Sequence, residues 1–574
     1  MRVNAHAHIF NLQTVLTEEA VGIMVARLGR IGLPDFVVDA VRGILIDQLH
    51  RPEYLVEEEL LRRFLRAISR TDGFQSLVSG AASLPVEVRV LGSGVEDIAV
   101  DTLRAALDRL SSRFDGQHEN QSGIFDVFET LRISMKPEIV EVADHLLADM
   151  HEDDVLVALM MDIAGKDESE RDRNNYLAQL SGTSEAAVQR PGRILSFVAV
   201  NPVREGHFNL MRRALEEMGY VGVKLYPSLG YKVSLPEIGV VLDYCVEHDV
   251  PVLVHCTAGG FFKSATTAGY GHPKHWHRLL EDRPELRVCF AHFGGWGGLS
   301  GALPQQKEWA DEILGLMESF PEVYADVSYH VDMMSGGDVE RQYLDALGRL
   351  LDHDLYGERI LFGTDGWLVR LHLPDQSFWR YFEEMLSAEA FARIAEETPR
   401  RYLGLPDEQG GGMRPNISRF VSFLEANRER VGGEPASWVR RVSQATFTPT
   451  RTNPRWSPNN LAHVFTYKFF RHVVHQIPSQ FHDFNFAESG KLRLRQLGYW
   501  TKEHEAADLF AQRRLDTAVK WETYCRTNGA RYEGDYDRDA VIDRLAEMLA
   551  DGDRTLADAA ASIDAIFLFP NEIA

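Results

Sequence analysis

The chain alternates short apolar runs with longer amphipathic stretches, and this alternation limits its fold more than any other feature. The runs are apolar on both faces and rich in β-branched residues, which is typical of parallel strands covered on both sides by helices. From residue 155 onward the runs are VLVALMM (155–161), ILSFVAV (194–200), VGVKLY (221–226), VPVLVH (250–255), LRVCFAH (286–292), VYADVSY (323–329) and RILFGTD (359–365). Together with RVNAHAH at residues 2–8 they favour a (β/α)8 (TIM) barrel, although a strand count alone leaves a doubly wound open sheet as the alternative.

Two long segments lie outside this alternation. Roughly 140 residues separate the first two runs, far more than an ordinary loop, and helical patterns fill residues 15–150. A helical insertion on the first strand–helix loop would lie at the barrel face where active sites form, so we interpret it as a lid or as a packing appendage. After a glycine-rich break at residues 407–413, further helical patterns follow. We therefore predict an α/β barrel domain over residues 1–404, which carries the insertion, and a helical C-terminal extension of unknown role over residues 414–574.

The charge of the chain limits the partners it could bind, and its cysteine content indicates its redox environment. The net charge of −24 at pH 7 argues against binding to nucleic acid or to an anionic membrane surface. The 4 cysteines form no Cys-x-x-Cys pair and are too sparse for a disulfide framework, so reduced thiols are expected. We found neither a signal-peptide pattern nor an apolar run of bilayer length, which predicts a cytoplasmic protein. The expected partner is a small-molecule substrate, and a homo-oligomer is possible.

The stretch AHAH near the N-terminus raises the question of a metal site. Side chains two residues apart on a strand point to the same side, so His6 and His8 would converge on one point. Alone the pair is weak evidence, but three other runs lead into His255, His292 and Asp365. A buried apolar strand does not need such a residue at its end for packing, whereas the C-terminal face of a barrel holds the chemistry. The sequence therefore predicts a metal centre at this face.

Five motifs in this order, AHAH, GVKLYP, VLVHC, AHFGGWG and LFGTDGW, make residues 1–12 and about 155–404 resemble the amidohydrolase superfamily. The similarity is to the amidohydrolase-related branch, which includes metal-dependent hydrolases and the aminocarboxymuconate-semialdehyde decarboxylase type. One departure is Asn4, where the branch often has aspartate. The resemblance implies a barrel with one divalent ion, commonly zinc, and places His292 beside the bound water. It also implies that the metal ligands are His6, His8, His255 and Asp365.

The types of ligand indicate the chemistry. Histidine and carboxylate ligands suit zinc, and a bound ion lowers the pKa of its water toward about 7. Asp365 could take the proton of that water, and His292 could orient the water or stabilise a developing oxyanion. The expected reaction is hydrolysis of an amide, ester or lactone. The alternatives are non-oxidative decarboxylation in the same pocket and a catalytically silent binding protein.

Four further residues near strand ends are candidates for contact with the substrate. Lys224 could bind a substrate anion, while a carbamylated Lys224 that bridges a second metal ion, as in binuclear relatives, is the less favoured hypothesis. Arg204 could receive a carboxylate. Trp296 and Trp367 could contact an apolar or aromatic substrate, although packing at the rim of the barrel is the simpler interpretation of both.

Overall fold

The computed structural model describes residues 1–30, 33, 35–50, 57–70, 124–148, 150–163, 169–373 and 375–444. In these residues one sheet of eight parallel strands runs in chain order, and each strand pairs with the next. The strands are β1 (Val3–Ala7), β2 (Val155–Leu159), β3 (Ile194–Val200), β4 (Tyr220–Leu225), β5 (Val252–Thr257), β6 (Val288–Gly294), β7 (Val323–Asp326) and β8 (Ile360–Leu361). Nearly every strand residue is buried, as the two-sided apolar runs predict.

Hydrogen bonds between β1 and the residues after β8 nearly close the sheet into a barrel. The backbone N–H groups of Thr364 and Asp365 both donate to the carbonyl oxygen of His6, at 3.2 and 2.8 Å. Gly363 permits this approach, because a Cβ atom on it would lie 2.5 Å from Cβ of His6. We call this contact the seam. The predicted (β/α)8 barrel is confirmed.

Helices cover the outside of the barrel and pack on the strands through a continuous apolar core. None of the helices that the structure describes combines the length and the apolar character needed to cross a membrane. The helices between β2 and residue 404 are α6 (Glu170–Gln189), α7 (His207–Glu217), α8 (Pro236–Glu247), α9 (Ala265–Ala268), α10 (His277–Glu281), α11 (Trp296–Ser300), α12 (Pro304–Ser319), α13 (Gly337–Leu351), α14 (Gly366–Val369), α15 (Asp375–Met385), α16 (Ala388–Ala392) and α17 (Thr398–Leu403), with a π-helical turn at Arg393–Glu397.

The insertion after β1 is helical in the residues that the structure describes. Its buried side chains form a second core cluster, which also includes Phe261 from the loop after β5 and Leu368 from α14, the helix after β8. The insertion therefore packs on the barrel face that carries the predicted site. Its helices are α1 (Glu18–Arg30), α2 (Asp35–Leu49), α3 (Glu57–Ser69), α4 (Ile124–Ser134) and α5 (Ile139–Leu147), and residues 71–123 lie outside the described part.

Two helices beyond residue 404 pack on the barrel. They are α18 (Pro415–Ala426) and α19 (Ser437–Val442). Nε1 of Trp438 donates to the carbonyl oxygen of Gly192 at 2.9 Å, and Nδ2 of Asn416 donates to that of Leu403, also at 2.9 Å. The chain divides into one compact unit of Met1–Arg428 with Pro435–Thr446 and another of Glu429–Glu434 with Phe447–Ala574. The first unit thus contains α18 and α19, which we had expected in the extension, and residues 445–574 lie outside the described part.

Candidate metal centre

Four histidines and an aspartate converge at the C-terminal end of the barrel strands, and all five are buried. His6 lies in β1, His8 follows it, and Asp365 comes after β8 as the N-cap of α14. Nε2 of His8 lies 3.2 Å from Oδ1 of Asp365, and Nε2 of His6 lies 3.5 Å from the same oxygen. The seam therefore brings both histidines of AHAH against one carboxylate oxygen.

The other two histidines form a second close pair across β5 and β6. Nε2 of His292 lies 3.2 Å from Nδ1 of His255. His6, His292 and Asp365 each offer a ligand atom within 4.8 Å of those of the other two. This compact group includes His292, which we had expected beside the water. His8 adjoins the group at Asp365 and at the ring of His6, and His255 adjoins it at His292.

Asp326, at the end of β7, orients two of these histidines and was missed by the sequence analysis. Its Oδ2 atom lies 2.9 Å from Nδ1 of His6, and its Oδ1 atom accepts from the backbone N–H groups of His292 and Ser328 at 2.9 and 3.0 Å. The hydroxyl of Ser328 also contacts Nδ1 of His292, at 2.9 Å. A lone acidic residue inside the apolar run VYADVSY was the signal that could have identified it.

Asn4, the departure from the family pattern, holds the seam together. Its Oδ1 atom accepts from the backbone N–H of Thr364 at 3.0 Å, and its Nδ2 atom donates to the hydroxyl of Thr364 at 2.8 Å. The same Oδ1 atom accepts from the backbone N–H of His6 at 3.3 Å. A neutral amide can supply both a donor and an acceptor here, which an ionised aspartate cannot.

Three residues of the site have left-handed backbone conformations. The φ angles of His292, Tyr329 and Asp365 are 62°, 58° and 58°. Non-glycine residues rarely adopt such angles, which cost about 1–3 kcal/mol each and cluster at functional sites. All three residues line one cavity, and such angles favour a functional role there, although Asp249, which precedes β5, also has a φ of 52°.

Burial sets the protonation of the site. Burial, together with the charge of Lys224, lowers the pKa of His6 to about 4. Burial also lowers the pKa of His292, and it lowers that of His255 well below its usual value. Burial alone would raise the pKa of Asp365, but the neighbouring His8 and His6 lower it. At neutral pH these imidazoles are therefore neutral and the carboxylate is ionised, the states in which such groups bind metals.

Lys224 lies in β4 and lines the same cavity. Its Nζ atom is buried and forms no hydrogen bond with the residues that the structure describes. Burial lowers its pKa to about 8, against the effect of Asp326 and Asp365. A fraction of the lysine is then neutral near neutral pH, which a carbamate would require, and the charged form suits a substrate anion.

The cavity above these residues is open to solvent. Together with the solvent space at its open mouth it encloses about 790 Å³. Trp296, at the start of α11, lines it, and so do Tyr226, Phe261 and Tyr329. Arg27 of α1 also lines the cavity, so the insertion contributes directly to the site.

Of the predicted substrate contacts whose side chains the structure describes, that of Arg204 is not found in this cavity. The guanidinium of Arg204 forms a two-point ion pair with the carboxylate of Asp162, with distances of 2.9 and 2.7 Å, and lies over the ring of Tyr176. It is buried there and does not line the cavity, so it is not in position to receive a substrate carboxylate. Trp367 lies in α14, and its side chain is outside the described part of the structure.

The chain is similar to several solved structures, of which three are given as examples. The chain is 16% identical to an uncharacterized TIM-barrel protein from Bordetella bronchiseptica (51% of this chain and 92% of that chain, TM-score 0.35). It is 15% identical to 2,6-dihydroxybenzoate decarboxylase from Rhizobium, with a match over 46% of this chain and 86% of that chain and a TM-score of 0.32. It is 20% identical to a protein described as a 2-pyrone-4,6-dicarboxylic acid hydrolase from Pseudomonas putida (45% and 86%, TM-score 0.31).

No curated protein matches the chain. The family model described as amidohydrolase matches residues 141–405. This match begins in α5, includes β2 to β8, and contains the GVKLYP, VLVHC, AHFGGWG and LFGTDGW motifs. Over these residues the chain is similar to the amidohydrolase family.

Proposed function

We propose that the protein is a metal-dependent hydrolase that uses an activated water on an amide, ester or lactone of a small substrate. The spacing of the candidate ligand atoms carries the proposal. Two atoms about 2.0–2.2 Å from one tetrahedral zinc ion are about 3.3–3.6 Å apart. The separations of 3.2 Å and 3.5 Å from Asp365 to His8 and His6 are close to this range.

The donor set fits a divalent ion. Nε2 of His6 is buried and makes no hydrogen bond with the described residues, an arrangement that a metal bond would satisfy. The residues that would hold the ion are His6, His8, His255 and Asp365. Zinc is the ion we expect from these ligands, and when bound it would activate water and polarise a carbonyl group. A second ion on a carbamylated Lys224 is the less favoured form of the proposal.

Asp365 and His292 would move and orient protons during the reaction. Asp365 is ionised at neutral pH, so its carboxylate can accept the proton of the attacking water and return it to the leaving group. His292 is neutral, and its Nδ1 atom is held by Ser328, which leaves Nε2 on the side of His255. From there it would orient the water or donate to an oxyanion.

Non-oxidative decarboxylation is the second candidate, and two cations support it. Lys224 and Arg27 both line the cavity, and a substrate with a carboxylate would suit them. The two candidates differ in products, because a decarboxylase releases carbon dioxide and a hydrolase consumes water. A screen of amides, esters, lactones and unsaturated acids with carbon dioxide detection distinguishes them. No turnover with full metal content would favour a binding protein.

The metal site itself is tested by the double variant His6→Ala/His8→Ala. We expect protein purified without chelator to hold about one metal ion per chain, and the double variant to lose it while its barrel stays folded. Circular dichroism and metal analysis on the same samples measure both properties. Trp296→Phe, which keeps an aromatic ring at the cavity wall, is the matched control and should retain the metal.

Full metal content in the double variant would overturn the assignment of the ligands. Global unfolding would indicate that the ion is structural. The cytoplasmic location and any self-association remain predictions that fractionation and sedimentation would measure.

A further inference from the structure

A second cavity lies inside the helical insertion, next to the metal-centre cavity. It encloses about 420 Å³ with its opening, and its wall is almost entirely apolar. The two cavities share Arg27, Phe261 and Leu368 as lining residues. The side chains that form the rest of its wall come mainly from α1, α2 and α4 and include Met24, Leu28, Val41, Leu45 and Leu131.

Arg27 stands at the boundary between the two cavities. Its Nη2 atom donates to the hydroxyl of Tyr329 at 3.0 Å, and its guanidinium lies 5.3 Å from the centroid of that ring. Its Nε atom is buried and forms no hydrogen bond with the residues that the structure describes. A guanidinium has five N–H donors, so donors remain for an anion. The carboxylate of Asp332, which also lines the metal-centre cavity, favours the charged form of Arg27. An incoming anion would therefore pair with a cation whose charge is already partly compensated.

We infer that the substrate is an amphipathic acid whose anionic group binds Arg27 and whose apolar arm of several carbons enters the insertion cavity. This inference rests on the proposed function for the position of the reacting carbonyl, which would lie at the metal centre. The insertion then selects the substrate, because it supplies both the apolar wall and the cation. Arg27 takes the part that we had expected of Arg204, whose guanidinium is already paired with Asp162.

Straight-chain carboxylates test the inference without any turnover. Isothermal calorimetry on the full chain with acetate, butyrate and octanoate should give affinity that rises with length, by at least about tenfold from butyrate to octanoate, since each buried methylene adds to binding. Octanol should bind more weakly than octanoate. Equal affinity for butyrate and octanoate, or for octanol and octanoate, would overturn the inference.

Two variants assign the effects to the two features. Val41→Phe fills the insertion cavity and should remove the advantage of octanoate over acetate, while acetate, which has no arm to enter the cavity, binds as before. Arg27→Met keeps an apolar side chain of similar length and should remove the preference for octanoate over octanol. If Val41→Phe lowers thermal stability, Leu45→Ala is used in its place. This variant enlarges the cavity, so the carboxylate that binds most tightly should be a longer one. Variants that fold and change neither preference would contradict the inference.

A carboxylate could also bind a metal ion directly, so the titrations are repeated in the His6→Ala/His8→Ala variant. In that variant the affinity for carboxylates should still rise with their length and should still depend on Arg27. Loss of either dependence would contradict the inference. Because only binding is measured, the outcome is independent of the proposed reaction. A protein that passes these titrations but hydrolyses no amphipathic amide or ester would refute the hydrolase and not the binding mode.

Discussion

Three imidazoles of the site keep Nδ1 against protein atoms and Nε2 toward the centre. Nδ1 of His6 contacts Asp326, that of His8 lies 2.8 Å from the carbonyl oxygen of Leu159, and that of His292 contacts Ser328. A carbonyl or carboxylate oxygen can only accept, so it fixes the proton on Nδ1 and leaves the lone pair on Nε2. The choice of tautomer is therefore built into His6 and His8 before any ligand binds.

Asp326→Asn should disturb this choice at His6. The amide oxygen would remain with the backbone N–H groups of His292 and Ser328, so the amide nitrogen would face Nδ1 of His6 and donate to it. Nε2 would then carry the proton and could not bind a metal. We expect metal affinity to fall about 10–100-fold, the usual effect of losing such an orienting partner, as measured by competition with a chelator.

The control for this variant is Asp332→Asn, which removes another carboxylate of the cavity wall. Its metal affinity should stay within about twofold of that of the unsubstituted protein, since substitutions away from the ligands and their partners have small effects. Equal losses in the two variants would show that cavity charge, and not the tautomer, governs the affinity.

Asp365→Asn should separate binding from catalysis. Asparagine keeps a carbonyl oxygen but cannot accept the proton of water, so turnover should fall about 10²–10⁴-fold. Metal content should fall much less. Turnover per bound metal and metal content are measured on one preparation. If the two fall in proportion, Asp365 is only a ligand, and His292→Asn should then give the larger defect per metal.

At the scale of elements, the seam depends on Gly363. A Cβ atom there would lie 2.5 Å from Cβ and 3.0 Å from the backbone nitrogen of His6. Gly363→Ala must therefore move β1 away from the residues after β8, at a cost of about 1–3 kcal/mol. We expect a lower midpoint of thermal unfolding together with weaker metal binding.

Gly348→Ala in α13 is the matched control, because a Cβ there meets nothing within 4 Å. Alanine inside a helix should stabilise the protein by up to about 1 kcal/mol. A Gly363→Ala variant as stable as this control would mean that the seam is not tightly packed.

The barrel was predictable from sequence because a parallel strand buried on both faces must be apolar along its length. Each of the eight strands overlaps the run predicted for it. Contacts made by side chains were harder to predict. Nothing local shows that Arg204 pairs with Asp162, which is 42 positions away. In the sequence Arg27 is an ordinary helix residue, and only the packing of α1 places it at the cavity. Asp326 lies inside a run whose other residues are typical of the core.

For the whole molecule, the boundary of the barrel unit has a direct test. Phe420 and Trp438 are fully buried, and their rings stack at 6.2 Å. Loss of one such residue costs about 3–5 kcal/mol, a large part of the stability of a typical domain. A chain of residues 1–444 should therefore stay folded and bind metal, whereas residues 1–413 should unfold at lower temperature or aggregate. Equal thermal midpoints would place the boundary near residue 404.

The seam also sets the order of events during synthesis. Asn4 and Thr364, which hydrogen-bond across it, are 360 positions apart in the chain. At about 5–20 residues per second, roughly 20–70 s pass between translation of the His6–His8 pair and translation of Asp365. Through that interval the two histidines lack their carboxylate, and contacts between such distant positions are slow to form. The step that completes the barrel also completes the metal site, so an unfinished chain would be inactive however much metal surrounds it.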